Sequence, residues 1–219
     1  GYMEKILVVG YGSIGKRHVK NLLQKSNYDI LICTKQKNLK LRNKRVKIHN
    51  SLKQCLDEKP SIGFVTNETN LHVETAIKLA HNNLDLFLEK PVSNSKKNVN
   101  KLKKIIKEKK LIVQMGYHFR YHKCIKKIHQ MILEKKIGKI ISVQVENNSY
   151  LPDWHPHEDY TKSYASRDKL GGGIVLTQIH ELDYLYWFFG KPKSVFSVTG
   201  KFSDLKLSVD DFSTSIIEF

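Results

Sequence analysis

The chain has no long apolar run, and it has few cysteines. A membrane-spanning helix needs roughly 18 or more consecutive apolar residues, and the 219 residues contain no such run. The cysteines Cys33, Cys55 and Cys124 are odd in number and share no metal-binding or redox spacing. The first residues lack the basic and apolar regions of a signal peptide. These absences predict a cytoplasmic protein with reduced thiols and no membrane partner.

Acidic residues are scarce relative to basic ones. The chain has 38 lysines and arginines against 21 aspartates and glutamates, a net charge of +17, and such an excess is one mark of nucleic-acid binding. The lysines, however, are spread along the whole chain. In the densest stretch, 95–110, Val99, Leu102, Ile105 and Ile106 recur at helical spacing with lysines between them. This pattern indicates an amphipathic helix with a solvated face, and we predict no nucleic-acid partner.

Short apolar strands alternate with helices through the first half of the chain. We predict helices at 13–24, 70–82 and about 95–110. The predicted strands are 4–9, 29–33, 46–48, 61–66, 84–88 and 111–115. Such alternation is typical of a parallel sheet with helices on both faces. We therefore predict a doubly wound α/β domain, a Rossmann fold, over residues 1–118.

The pattern changes in the second half, which we predict to be a separate substrate domain at residues 119–219. We expect helices at 124–136, with Gly138 as its stop, and at 171–189. The predicted strands are 140–148, 194–201 and 209–219, and a long loop is predicted at 151–167. Because the chain stops inside an apolar strand pattern, we expect its sheet to be incomplete and the chain to be a fragment.

A glycine-rich motif follows the first predicted strand and opens the first helix. Gly10, Gly12, Ser13, Ile14 and Gly15 belong to a G-x-G-x-x-G pattern, which in this strand–turn–helix context predicts dinucleotide binding. The first glycine permits a tight turn, the second lets the backbone approach a pyrophosphate, and the third lets helix and strand pack closely. The helix N-terminus offers N–H groups to the phosphates. A plain glycine turn and a methyltransferase are the alternatives.

The end of the second predicted strand favours NADP over NAD. NAD-binding proteins place an acidic residue there, on the ribose hydroxyls, and this strand ends Ile-Cys-Thr-Lys without one. Thr34 is suited to hydrogen-bond a 2′-phosphate, and Lys35 is suited to neutralise it. The alternative is that both are ordinary strand-end residues, with NAD as the cofactor.

Glu89, Lys90 and Pro91 follow the fifth predicted strand, at the carboxyl edge where ligands bind in such sheets. A lysine there can donate to a substrate hydroxyl oxygen and stabilise an alkoxide as hydride leaves. In so basic a chain, a chance Lys-Pro pair is the alternative on spacing alone.

An ordered set of motifs resembles the Gfo/Idh/MocA family (glucose–fructose oxidoreductase, inositol dehydrogenase and rhizopine catabolism). The motifs are Gly10–Gly15, Asn67–His72, Glu89–Pro91, Gly116–His122, Gly171–Gly173, His180 and Asp183. The resemblance extends from Met3 to Phe219. The stretch from Leu151 to Gly173 is similar to a subgroup associated with bacterial surface-glycan sugars.

The resemblance implies roles for these residues. Lys90 would be catalytic and contact both the nicotinamide ribose and the substrate hydroxyl. Glu89 would be a further cofactor-binding residue, and Asn67 and His72 would border the cofactor. His180 would be the general acid/base, a role that suits imidazole. The implied substrate-binding residues are Tyr117, Arg120, Trp154, Thr177, His180 and Asp183.

The resemblance also implies an architecture for the second domain. It would be an α+β domain with an open, mostly antiparallel sheet. Because the outer face of that sheet often makes subunit contacts in the family, we expect a homo-oligomer through this sheet when it is complete.

Several positions depart from the family pattern. Many relatives carry an aspartate where this chain has Thr177, three residues before His180 and on the same helix face. Asp183 would either replace that carboxylate or cap a neighbouring group. Glu68 stands where a proline is usual, and His118 where an asparagine is common. Cofactor binding is still expected, but the standard proton relay is in doubt.

A cluster of metal-binding residue types lies at 155–159, with two histidines and two acidic residues. No second group of ligands has supporting spacing. We therefore predict a polar lid over a sugar site and no metal.

The sequence thus predicts an NAD(P)-dependent oxidoreductase that moves hydride between nicotinamide C4 and a secondary alcohol of a sugar, cyclitol or nucleotide sugar. A catalytically impaired dinucleotide-binding homologue is the first alternative, motivated by Thr177. A basic nucleic-acid-binding protein is the second, and the charge alone supports it. The substrate, the carbon oxidised and the direction of the reaction stay open.

Overall fold

The structure is a computed structural model that describes residues 4–219. It divides into two compact units. The first unit ends at Gly116, and the second unit is Tyr117–Phe219. Each unit is described by itself.

The first unit is a six-stranded parallel sheet with the strand order β3-β2-β1-β4-β5-β6. The strands are β1 Lys5–Val9, β2 Asp29–Cys33, β3 Val46–His49, β4 Ile62–Val65, β5 Asp85–Leu88 and β6 Val113–Met115. The helices are α1 Ser13–Lys25, α2 Leu52–Asp57, α3 His72–His81 and α4 Val99–Lys109. The predicted doubly wound α/β fold is confirmed.

The central strands are apolar because both faces of the sheet are covered. Successive side chains of a strand point to opposite faces. In β1, Leu7 therefore packs into the core on the side of α3 and α4, whereas Ile6 and Val8 pack with Val19 of α1 on the other side. Because helices cover both faces of the sheet, the carboxyl ends of the strands form an uncovered edge. The glycine turn lies at this edge, after β1.

Helix α4 confirms the amphipathic prediction for the lysine-rich stretch, since Leu102 and Ile105 are buried in the core. Helix α2 was not predicted. Six residues are too few to show a helical period, although Cys55 within it is fully buried.

The second unit contains three helices and a two-stranded antiparallel sheet among its described elements. The helices are α5 Lys123–Leu133, α6 Ile174–Thr177 and α7 His180–Phe189. Strand β7, Ser194–Gly200, pairs with β8, Phe212–Glu218. The predicted long loop forms short 3-10 turns at Leu151–Asp153, Tyr160–Lys162 and Tyr164–Ser166. No helix within residues 4–219 is both long and apolar enough to cross a membrane.

The predicted strand at 140–148 is wrong. The segment has no regular secondary structure, and residues 141–150 are exposed. It pairs with none of the described strands. Alternation of apolar and polar residues predicts which face a strand would bury, but a strand also needs a hydrogen-bonded neighbour.

The single helix predicted at 171–189 is also wrong, because α6 and α7 are separate. Gly171 and Gly173 have φ of +82° and +105°, which a helix does not use. The break after α6 follows Thr177, whose hydroxyl donates to the carbonyl oxygen of Gly173 at 2.7 Å. Such a bond from Thr to residue i−4 tends to bend a helix.

Candidate functional site

The turn between β1 and α1 is packed too tightly for side chains at its first and last glycines. Gly10 has φ of +93°, and a Cβ there would lie 2.8 Å from the backbone nitrogen and Cα of Asn67. A Cβ at Gly15 would collide with the carbonyl oxygen of Gly10. The Thr66 hydroxyl lies 2.9 Å from the carbonyl oxygen of Val9 and 3.0 Å from that of Gly10. The fold itself therefore requires these two glycines.

Gly12 differs, because a Cβ there would meet nothing within 4 Å. Gly12 is the N-cap residue of α1, and the helix has no side-chain capping hydrogen bond there. Ser13, the first helical residue, is exposed, and Ile14 is half-buried. The first N–H groups of a helix have no partner within the helix and attract anions. This open surface fits a pyrophosphate.

Asn67, at the carboxyl end of β4, supplies a second sign of a ligand. Its side-chain nitrogen donates to the Thr75 hydroxyl at 2.9 Å. Its side-chain oxygen is buried and has no hydrogen-bond partner among the described residues. Buried acceptors are normally paired, so this oxygen suits a donor from a bound molecule. The residues present thus fit a dinucleotide.

The end of β2 carries the residues predicted to meet the ribose. Thr34 is buried, and its hydroxyl oxygen accepts from the Gln36 backbone N–H at 3.2 Å. The Gln36 side chain donates to the Tyr11 carbonyl oxygen at 2.8 Å, which ties this turn to the glycine motif. Lys35 is exposed. A hydrogen bond with Cys55 lowers the pKa of the Cys33 thiol, and the charge of Lys35 contributes in the same direction.

Glu89 lies at the carboxyl end of β5 and is 8% exposed. Its carboxylate contacts His18 Nε2 at 2.7 Å and accepts from the Lys90 backbone N–H at 3.2 Å. A Cβ at Gly116 would approach the same carboxylate to 2.9 Å. Burial acts to raise the pKa of Glu89, but His18 and Lys90 outweigh it and the net pKa is lowered. Glu89 is therefore an anion whose oxygens have partners within the protein.

Sequence reasoning missed His18. Its ring lies between the carboxylate of Glu89 and the rings of Phe64 and Phe87, at 5.3 and 4.9 Å between centroids. His18 follows Gly15 by three residues, so both lie on the face of α1 that packs on the sheet. This three-residue spacing was the signal in the sequence that His18 faces the sheet.

His72 is 2% exposed and joins two loops. Its Nδ1 lies 2.8 Å from the carbonyl oxygen of Pro91, and its Nε2 lies 2.9 Å from that of Asn67. His72, which is predicted to border the cofactor, thus contacts the backbone of Asn67 and the backbone of the residue that follows Lys90.

In the second unit, His180 begins α7 and is 8% exposed. Its ring stacks on Phe119 with 4.6 Å between centroids and lies edge-on to His118 at 4.4 Å. Tyr117 is 6.3 Å away, also edge-on. Burial raises the pKa of Tyr117, and the charge of Asp183 raises it further. The predicted acid/base therefore lies in an aromatic cluster.

Arg120 and Asp183 are brought together by the fold. The guanidinium donates to both carboxylate oxygens, at 2.8 and 2.7 Å. It also lies over the ring of Trp187, 5.6 Å from its centroid. Of the two roles considered for Asp183, the geometry favours capping a neighbouring group.

Trp154 and Thr177 line a cavity of about 420 Å³ within the second unit. Its wall is mainly aliphatic and aromatic, and it includes Tyr150 and Phe202 but not His180. The Trp154 ring nitrogen donates to the Ser149 hydroxyl at 3.0 Å. The six predicted substrate residues therefore fall into two groups: Trp154 and Thr177 at this cavity, and the other four around His180 and Asp183.

No group of three His, Cys, Asp or Glu side chains within residues 4–219 is arranged to hold a metal ion. The four ligand-type residues at 155–159 are all exposed. Asp159 accepts hydrogen bonds from the backbone and hydroxyl of Thr161.

Two family models match the chain. The first, named GFO_IDH_MocA and described as an oxidoreductase family with an NAD-binding Rossmann fold, matches residues 4–117. The second, the GFO/IDH/MocA C-terminal domain, matches residues 125–219.

Individual proteins resemble the chain over nearly its whole length. Myo-inositol 2-dehydrogenase of Thermotoga maritima is 26% identical over 94% of this chain and 60% of its own. The crystal structure of myo-inositol 2-dehydrogenase from Lactobacillus plantarum has a TM-score of 0.81 at 22% identity, covering 99% of this chain and 66% of its own.

A third structure is the WlbA dehydrogenase from Bordetella pertussis in complex with NADH and UDP-GlcNAcA. Its TM-score is 0.79 at 16% identity, and the match covers 98% of this chain and 63% of WlbA. At such identities, the structural matches establish the fold. The chain spans about two thirds or less of the length of these relatives.

Proposed function

The chain belongs to the Gfo/Idh/MocA oxidoreductase family, and we propose that it transfers hydride between a nicotinamide dinucleotide and a secondary alcohol of a sugar, cyclitol or nucleotide sugar. The observation that carries the proposal is the open surface at Gly12, where a Cβ would meet nothing within 4 Å. At Gly10 and Gly15 of the same turn, backbone atoms of the protein already occupy the space that a Cβ would need. A turn that is open only where a pyrophosphate would approach is suited to hold one.

The bound cofactor would accept or donate the hydride. The protein would bind it at the glycine turn and at Asn67, whose buried side-chain oxygen suits a ligand donor. Lys90 would donate to the substrate hydroxyl oxygen and stabilise its negative charge as the alkoxide develops. His180 would take up or return the proton as general acid/base.

NADP is the cofactor that the end of β2 favours. Thr34 accepts a hydrogen bond from Gln36, and a hydroxyl that accepts can still donate to a phosphate oxygen. Lys35 is exposed and positively charged beside it. The similar WlbA structure contains NADH, so NAD is the alternative.

The substrate class rests on the relatives and on the cavity. One similar enzyme is named for myo-inositol, and the similar WlbA structure is in complex with UDP-GlcNAcA. The cavity wall includes the aromatic residues Tyr150 and Trp154, and aromatic faces suit the apolar face of a sugar ring. A homo-oligomer is also proposed, because β7 and β8 expose apolar side chains, with Phe196 and Ile216 at 68% and 75%.

The catalytic roles are tested by replacing Lys90 and His180 with alanine in the full chain. Turnover of a sugar panel should fall by about 10²-fold or more for Lys90→Ala and by about 10²–10⁴-fold for His180→Ala. His180→Ala should leave cofactor affinity nearly unchanged. Unaltered turnover in the His180→Ala enzyme would leave His180 as a packing residue.

A catalytically impaired dinucleotide-binding homologue is the second candidate. Thr177 replaces a carboxylate of the family, and its hydroxyl donates to the Gly173 carbonyl. Asp183 is bonded to Arg120. Wild-type turnover separates the two candidates. If the absent carboxylate limits proton transfer, Thr177→Asp should raise activity or shift its pH optimum, with Thr177→Asn as the uncharged control.

A further inference from the structure

The residues immediately before and after Lys90 are each held by a histidine, one half-buried and one buried. Glu89 precedes it and contacts His18 of α1, and Pro91 follows it and contacts His72 of α3. The two histidines come from different helices and reach the same three-residue segment.

The His72 arm acts on the backbone. Its Nδ1 lies 2.8 Å from the Pro91 carbonyl oxygen, and its Nε2 lies 2.9 Å from the Asn67 carbonyl oxygen. A neutral imidazole donates to one of these oxygens, and an imidazolium donates to both. Because His72 is 2% exposed, water cannot replace these contacts without opening the core. The loop after β4 and the loop after β5 are thereby held together.

The His18 arm acts through a side chain. Its Nε2 lies 2.7 Å from one oxygen of Glu89, while the other oxygen accepts from the backbone N–H of Lys90 at 3.2 Å. Phe64 and Phe87 confine the His18 ring. The carboxylate therefore links α1, which begins at the glycine turn, to the backbone of Lys90.

We propose that His18 and His72 are positioning residues that fix the backbone of Lys90 from both sides. Neither histidine would touch the reacting atoms. Each would act through the Glu89–Pro91 segment, which carries the Lys90 ammonium. The expected loss of turnover rests on the proposed function, whereas the positioning of Lys90 by the two histidines does not. Misplacing a catalytic group by about 1 Å can cost on the order of 10²-fold in rate.

The first test measures Lys90 without any reaction. Wild type, His18→Phe and His72→Phe are acetylated with acetic anhydride, and the rate at each lysine is read by peptide mass spectrometry. The rate at Lys90 should change severalfold in both variants. Lys78, an exposed lysine of α3, serves as the internal reference and should not change. His81→Gln, on the same helix as His72 and exposed, is the matched control.

Conservative variants keep the test valid if a phenylalanine variant does not fold. His18→Gln and His72→Gln each retain an N–H donor group, and their acetylation rates at Lys90 should fall between those of wild type and the phenylalanine variant. Lys90 rates equal to wild type in every folded variant would overturn the proposal.

The second test measures turnover in two backgrounds. His72→Phe should lower kcat by about 10²-fold, and it should cause no further loss of kcat in a Lys90→Ala enzyme. Equal proportional losses in both backgrounds would mean a general structural role and contradict the proposal. If wild type turns over no sugar but the acetylation rates change as expected, the proposed function fails and the positioning role stands.

Discussion

Arg120 and Asp183 form a two-point ion pair across 63 residues of sequence, with bonds of 2.8 and 2.7 Å. The Asp183 side chain is 8% exposed and that of Arg120 is 36% exposed. This pair joins the 3-10 turn at His118–Tyr121 to α7, the helix that begins with His180. Asp183 therefore supports the surroundings of His180, and its carboxylate is already bonded to a cation.

Breaking this pair should destabilise the second unit. Asp183→Asn keeps the size of the side chain but loses the charge, and a hydrogen bond to a charged group contributes about 1.5–3 kcal/mol. We expect a loss of that order in the free energy of unfolding, measured with urea. Arg120→Leu should cost a similar amount, and the double variant should cost less than the sum. Strict additivity would contradict a direct pair.

Glu58 should make the first unit sensitive to acid. The side chains of Lys47, His49 and Lys5 bond to its carboxylate, and these contacts, with Lys47 first, lower its pKa to about 2. A carboxylate with a lowered pKa stabilises the fold above its unfolded pKa of about 4.3. The stabilisation is lost as pH falls from there through about 2.

The corresponding experiment compares wild type with Glu58→Gln in urea at several pH values. At neutral pH, wild type should be more stable by about 1–2 kcal/mol once solvent screening of Lys47 is allowed for. The difference should shrink as pH falls below about 4. A difference that is independent of pH would show that the charge of Glu58 does not contribute.

The proposed preference for NADP depends on Lys35. We expect dissociation constants for NADPH severalfold lower than for NADH, because Lys35 would pair with the 2′-phosphate. Lys35→Ala should reduce that ratio, whereas Lys37→Ala, an exposed lysine two residues on, should not. Tighter binding of NADH by wild type would show that the end of β2 does not select the phosphorylated cofactor.

Local patterns in the sequence predicted the first unit well. The motif from Gly10 to Gly15 lies between a strand and a helix as expected, and α4 buries Leu102 and Ile105. Each of these features is encoded within a few consecutive residues. Periodicity and turn chemistry are therefore sufficient to find them.

Features that depend on distant residues were not predictable in this way. His18 meets Glu89 across 71 residues, and no spacing rule connects them. The strand expected at 140–148 failed because pairing depends on a neighbouring strand. The break before α7 is local: it follows Thr177, whose hydroxyl donates to the carbonyl of Gly173, and helical periodicity does not report such a bond.

The most direct test of dinucleotide binding at the glycine turn is a fluorescence titration of wild type and Gly12→Val with NADPH. Because a Cβ at Gly12 would meet nothing within 4 Å beyond its chain neighbours, the variant should fold with an unfolding temperature close to that of wild type. Gly15→Val is the contrast, since its Cβ would collide with the Gly10 carbonyl, and it should unfold at a lower temperature. Wild type should bind NADPH, and folded Gly12→Val should bind it far more weakly, because valine occupies the space of the pyrophosphate. Equal affinities in wild type and Gly12→Val would contradict dinucleotide binding at this turn.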